Sequence, residues 1–283
     1  MIARSFSLIN EYGQEYSLNS ARTTGLLTNP KGLGYSDTVS YIDIGDAFIR
    51  TKRKAKQSAI SGTMIFGSST PYDLYNAFNA YIRGSKELRL IYKTPGAPRA
   101  YYRDVDLVKL EKTEISKGVL ECAVEFYCKS LFYSNVQSNF TVSTVEGELR
   151  YTIEWPARYN DYSERTIALS NTGDVDAPFT LVLQGYCENP TVTLTKDEVE
   201  VASIKFPIIL QPEERILYSS LDDNMYVYKQ DADGSRENII QLLDISYTNF
   251  FKIPPGDYSI SFTSDTGAAY TTSLVMYKFY RTV

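Results

Sequence analysis

The residues that could carry chemistry are few, and the most consequential type is missing. Among 283 residues there is no His. Histidine is the usual general base near neutral pH and a common zinc ligand. Ser-His-Asp, Cys-His and His-metal centres are therefore excluded. Three Cys remain, at Cys122, Cys128 and Cys187, an odd count without CxxC spacing that predicts neither a disulfide framework nor a zinc site. On a strand, Cys122 and Cys128 share a face with Val124 and Phe126 yet stand roughly 20 Å apart, beyond bonding reach. Buried thiols in a chain made in a reducing cytoplasm are the expectation.

The acidic candidates fare no better. Asp222-Asp223 and Glu213-Glu214 are adjacent pairs, and neighbours on a strand point to opposite faces, so neither builds the two facing acids of a glycosidase. Asp231-Ala232-Asp233-Gly234 matches only the start of a calcium loop, because the later Glu ligand is absent. No Gly-rich phosphate loop precedes a helix. No catalytic residue, cofactor or metal is predicted.

Two features remain. Arg50, Lys52, Lys54 and Lys56 form a basic run whose members all point one way if the chain is extended. A solvent-facing strand often carries Lys to blunt edge pairing. Nucleic-acid readout is disfavoured by the net charge of −5 and by the lack of interleaved aromatics. Trp155, the single Trp, is a candidate saccharide or partner contact, against the simpler reading of packing inside a sandwich.

The elements that position these residues are mostly strands. The 24 Tyr suit half-buried sheet faces and interfaces. Alternation marks strands around Phe6 and Leu8, over 36–44, over 59–66 with Ile60, Met64 and Phe66 on one face, over 88–93 and over 119–126. The spacing of Leu74, Ala77, Phe78, Tyr81 and Ile82 predicts one helix over about 71–83, capped by Thr70, with Pro71 first and Gly84 closing it in a left-handed conformation. Polar residues 134–139 read as a linker. Strands are expected beyond it at 149–154, 165–170, 177–184, 191–195, 205–210, 214–218, 225–228, 258–263 and 271–279, with turn clusters between, as in a β-sandwich. The fold class is mainly β: residues 1–134 a β domain of sandwich or split-barrel type with one helix, 135–283 a β-sandwich. The last stretch, 273–283, either finishes the sandwich or returns to the first domain. No run approaches the roughly 18 apolar residues of a membrane helix, and the N-terminus lacks the apolar core of a signal peptide.

The order of these pieces resembles the distal tail protein family of long-tailed phages infecting Gram-positive bacteria. The first half carries this through the basic strand, the strand 59–66, the helix, Leu88-Arg89-Leu90-Ile91-Tyr92 and Glu125-Phe126-Tyr127-Cys128. In the second half, Asn171-Thr172-Gly173 with Ala177-Pro178, and Ile253-Pro254-Pro255-Gly256, are similar to turns of the family's galectin-like sandwich, although Asp257-Tyr258 departs from the usual pairing. The resemblance implies a structural hub without enzymatic activity at the distal end of the virion tail, made in the host cytoplasm. It implies a homo-hexameric ring joining the tail tube protein to the tail-associated fibre or tip protein, with receptor-binding or baseplate proteins attached. Arg50, Lys52, Lys54 and Lys56 then become candidates for the ring interface or its channel. The alternative is a receptor-binding module holding cell-wall saccharide on its C-terminal sandwich, disfavoured at Trp155 because galectin sites also use His. An enzyme degrading cell-wall polymer is the weakest reading.

Overall fold

The computed structural model describes residues 4–55, 58–95, 99–142, 165–265 and 270–283. The described chain is mainly β with one α-helix, as the periodicity predicts. Packing divides it into two compact units, Met1–Ser134 with Tyr280–Val283, and Asn135–Phe279.

The first unit contains β1 (Ser5–Asn10), β2 (Glu15–Ser17), β3 (Asn19–Ser20), β4 (Gly25–Lys31), β5 (Asp37–Ile44), β6 (Ala47–Ala55), β7 (Ala59–Phe66), α1 (Pro71–Arg83), β8 (Leu88–Lys93), β9 (Tyr101–Glu111), β10 (Leu120–Cys128) and the start of β11 (Phe132–Val142). Its main sheet is antiparallel. β9 pairs with β8 through its first half and with β10 through its second. β1 extends the sheet beyond β8, and β7 and then β4 extend it beyond β10. One face of each strand is apolar, so the curled sheet closes on Phe6, Leu8, Ile60, Met64, Phe66, Leu90, Leu120, Val124 and Phe126, all buried. Cys122 and Cys128 lie on that same buried face of β10.

Helix α1 covers the core with Phe78, fully buried, while Leu74, Tyr75, Tyr81 and Ile82 pack beside it. Ala77, expected in the stripe, is exposed. Both caps also differ from expectation. The Thr70 side chain makes no capping hydrogen bond; its carbonyl instead accepts from the Asp73 N–H at 3.1 Å. Gly84 stays in the right-handed region, φ −79°, and its N–H donates to the Ala80 carbonyl. The first turn is thus closed by backbone alone, and nothing forces the last residue out of helical geometry.

The second unit contains the rest of β11, then β12 (Arg165–Asn171), β13 (Phe179–Gly185), β14 (Cys187–Glu188), β15 (Thr191–Lys196), β16 (Val199–Lys205), β17 (Ile209–Leu210), β18 (Arg215–Leu221), β19 (Asn224–Gln230), β20 (Arg236–Asn238), β21 (Gly256–Thr263) and β22, which begins at Tyr270 and runs to Tyr280. One sheet runs β20-β19-β18-β13-β22 and the other β12-β21-β15-β16. Leu181, Leu183, Ile216, Tyr218 and Leu274 from the first share one core with Val192, Leu194, Ile204, Ile260 and Phe262 from the second. This is a two-sheet sandwich with alternating inward residues. Cys187 is buried there, which pushes its thiol pKa up to about 12.

Two expectations are corrected here. The polar stretch 134–139, read as a linker, does lie where the two units divide, but its backbone is strand, part of β11. A strand over 205–210 is replaced by β16, ending at Lys205, and the short β17; Pro207, which lacks an N–H, lies in the break between them. The expected strand 149–154 lies outside the described residues. The two turn motifs of this half, distant in sequence, meet. The Asn171 side-chain amide donates to the Ile253 carbonyl at 2.8 Å and its Oδ1 accepts from the Gly173 N–H at 2.9 Å, while Ala177 and Ile253 exchange backbone hydrogen bonds. Asn171 is buried, so these bonds satisfy a polar group that would otherwise destabilise the sandwich.

Candidate interaction surface

The basic run lies on a two-stranded antiparallel ribbon, β5–β6, whose strands pair with each other and, among the described residues, with no other strand. Its turn is two residues long, Gly45-Asp46, between the paired Ile44 and Ala47. Gly45 has φ +61°, the first-position conformation that short hairpin turns require and that glycine adopts without strain. At the other end, a Cβ on Gly32 would run into the Ala59 carbonyl, so chain entry and exit meet in close backbone contact beneath the ribbon.

The expectation that the four basic side chains share a face is overturned by the register. Ser40 pairs with Lys52, whereas the next residue, Tyr41, pairs with Arg50. Thr51 is the extra residue of a bulge, and its hydroxyl donates to the Ser40 carbonyl at 3.2 Å. Partners across a ladder share a face and successive residues alternate, so Arg50 and Lys52 point to opposite sides. Arg50 and Arg53 lie with Val39 and Tyr41. Lys52 lies with Ile42 and Ile49. Lys54 occupies the ladder position opposite Thr38; Lys56, like Trp155, lies outside the described residues.

The ribbon also carries an apolar load that the charge pattern hides. Phe48 is 72% exposed, and Tyr41, Ile42, Ile44 and Ile49 are each at least 52% exposed. Tyr41 and Phe48 are on one face; Ile42, Ile44 and Ile49 are on the other. Exposed apolar clusters of this kind mark interaction sites. The alternation over 36–44 marks a strand without revealing this patch; its signal in the sequence is apolar residues on both sides of Gly45-Asp46.

The base is electrostatically closed. The Asp37 side chain, 6% exposed, accepts from Arg53 and from Arg281, the latter at 3.4 Å. The Arg53 guanidinium has its pKa raised, first by the hydrogen bond to Asp37 and then by its charge.

The remaining sequence candidates do not assemble into a site. Asp222 pairs with Lys252 at 2.6 Å, Glu214 with Lys229 at 2.7 Å, and the Asp231–Gly234 segment closes a turn on itself through Ser235. Among the described residues no group of His, Cys, Asp or Glu is arranged to hold a metal ion, and no helix is long and apolar enough to cross a membrane. An open depression of about 360 Å³ on β4, β7 and β10 is lined by Lys31, Ser61, Thr63, Lys109 and Glu125 among others; the Lys109 ammonium already pairs with Glu111 at 3.1 Å.

Comparison with known proteins gives this architecture a setting. The fold is similar to that of a chain in the phage P2 baseplate in its activated conformation with Ca, at 16% identity and TM-score 0.64, covering 100% of both chains. It is also similar to SPP1 Dit, described as a paradigm of the hub adsorption apparatus in phages infecting Gram-positive bacteria, at 12% identity and TM-score 0.64, covering 96% of this chain and 98% of that one. No curated protein matches. Residues 5–129, which run from β1 through β10 and include the ribbon, match the family model for the distal tail protein N-terminal domain. Residues 5–129 are thus similar to the N-terminal domain of distal tail proteins, and the likeness of the chain to the two solved structures is one of fold.

Proposed function

We propose that this chain is the ring-forming hub of a phage tail tip, with residues 1–134 forming the ring and residues 135–283 an outward galectin-like sandwich that carries adhesion components. In this reading six copies close a ring that joins the tail tube protein to the tail-associated fibre protein. It is a structural role without catalysis, at the distal end of the virion tail. The observation that carries it is the β5–β6 ribbon, apolar on both faces and exposed on both. An isolated two-stranded ribbon is marginal in water. One whose apolar side chains face solvent on both sides gains most by inserting between protein surfaces, and a head-to-tail contact between copies closes a ring when its rotation closes. The divided charges suit two different surroundings, Lys52 on one side and Arg50 on the other.

A second reading, saccharide binding by the sandwich, has one observation in its favour. Tyr226 and Tyr228 stack at 5.3 Å on the same face of β19, a half-buried aromatic platform of the sort sugars use. Light scattering on the purified chain, with negative-stain imaging, separates the readings. Closed rings, single or stacked, support the hub. A stable monomer that binds cell-wall saccharide overturns it in favour of the second.

A further inference from the structure

The ribbon stands away from the curled sheet, and its strands are exposed along nearly their whole length. Asp37, the first residue of β5, and Val39 are half-buried, and Asp37 is the charged one. Its carboxylate is almost fully covered, yet its partners are two arginines from very different places: Arg53, on the facing strand, and Arg281, 244 residues further along the chain. Among the described residues, the Arg281 contact is the ion pair that ties the ribbon to the rest of the first unit.

Arg281 reaches Asp37 because its neighbours are anchored. The Tyr280 ring meets Tyr101 edge-on at 5.3 Å, its hydroxyl lies 3.4 Å from the Ser134 hydroxyl, and both Tyr280 and Val283 pack on the unit's core. The segment 280–283 is thus seated on both sides of Arg281, so its guanidinium is presented to Asp37 at little further entropic cost. Both arginines meet the same oxygen, Oδ2, and Oδ1 is buried without a hydrogen-bond partner among the described residues. Without Arg281 the covered carboxylate would keep Arg53 but lose its cationic partner from outside the ribbon.

We propose that Arg281 is a positioning residue for the ribbon: through Asp37 and Arg53 it fixes the base of β5–β6 and so presents the interaction surface in one orientation. Residue 281 follows the second unit in the chain, so the clamp closes only on a chain made through β22. A chain interrupted earlier keeps the ribbon but not its anchorage. Assembly is thereby biased toward fully folded copies. The consequence for assembly rests on the ribbon being the ring contact; the clamp itself does not.

The test uses the full chain with Arg281→Ala and Arg281→Lys, read by amide hydrogen exchange and light scattering. Arg281→Ala should speed exchange over residues 37–55 by about threefold to tenfold, leave β10 unchanged, and raise the concentration needed for half-assembly. Arg281→Lys should restore much of the protection, since it keeps the charge. Unchanged exchange over 37–55 in Arg281→Ala would overturn the clamp. So would an equal rise over β10, which would mean general loosening. If the native chain remains monomeric at every concentration while Arg281→Ala still speeds ribbon exchange, the clamp stands and the ring reading fails.

Discussion

Two neighbouring strands of the first unit show how little a strand's own sequence says about its surroundings. β6 and β7 are separated by a short connection and are of nearly equal length. β7 places Ile60, Met64 and Phe66 on one face, all with no exposed surface, because β4 and β10 flank it and the sheet curls over that face. β6 places Phe48 and Ile49 on opposite faces, both exposed, because among the described residues its one strand partner is β5 and no layer covers either side. The apolar residues of β7 hold the unit together. Those of β6 do nothing for the isolated fold, which is why they are free to serve an interface.

The sharpest way to break this contrast is to truncate each kind of residue. Phe126→Ala, on the β10 strand that backs β7, should cost about 3–5 kcal/mol of stability and lower the thermal midpoint. Phe48→Ala should change stability by less than about 0.5 kcal/mol, since an exposed side chain leaves no cavity. A large loss of stability from Phe48→Ala, seen by chemical denaturation, would mean that the ribbon is part of the core.

The effect on assembly should be reversed and somewhat smaller. The double change Phe48→Ala with Ile49→Ala opens both faces, and should weaken association by about 1–3 kcal/mol if these are anchor residues, read as a rise in the midpoint concentration for self-association. Association unchanged by the pair would remove the ribbon from the interface.

The smallest effect expected is that of charge. Reversal by Lys52→Glu with Lys54→Glu should weaken assembly, by about 1 kcal/mol or less for each exposed pair broken. The loss should fade as salt is raised. Because the bulge at Thr51 puts Arg50 on the other face, Arg50→Glu should act independently of that pair, the two losses adding in a double-mutant cycle. Strong coupling between Arg50 and Lys52 would mean that the bulge is lost in the assembled ring.

The core of each unit was legible because it obeys local periods. The buried set of β7 and β10 repeats every two residues, and Phe78 with its neighbours repeats at helical spacing, so both faces could be named from the chain alone. The three thiols were read as buried hydrophobes, and all three are buried. Where local rules failed, a distant or subtle partner decided. The missing Thr70 cap and the right-handed Gly84 involve alternatives that differ by about 1 kcal/mol or less. The polar run 134–139 reads as a linker, since no period marks a strand whose backbone pairing supplies its order.

The candidate surface lay between these cases. Its charges were visible in the sequence, and its apolar residues were present but unread. By itself the sequence determined that no histidine chemistry is available, that the chain is mainly β with one helix, and that a basic extended segment exists. Only the tertiary structure decided that this segment is a free ribbon, that one bulge divides its charges between two faces, and that Arg281 closes on Asp37. The reason is physical. Which face a side chain takes follows from its own strand's period. Whether that face is covered, and where the period slips, depends on partners whose register the local sequence does not encode.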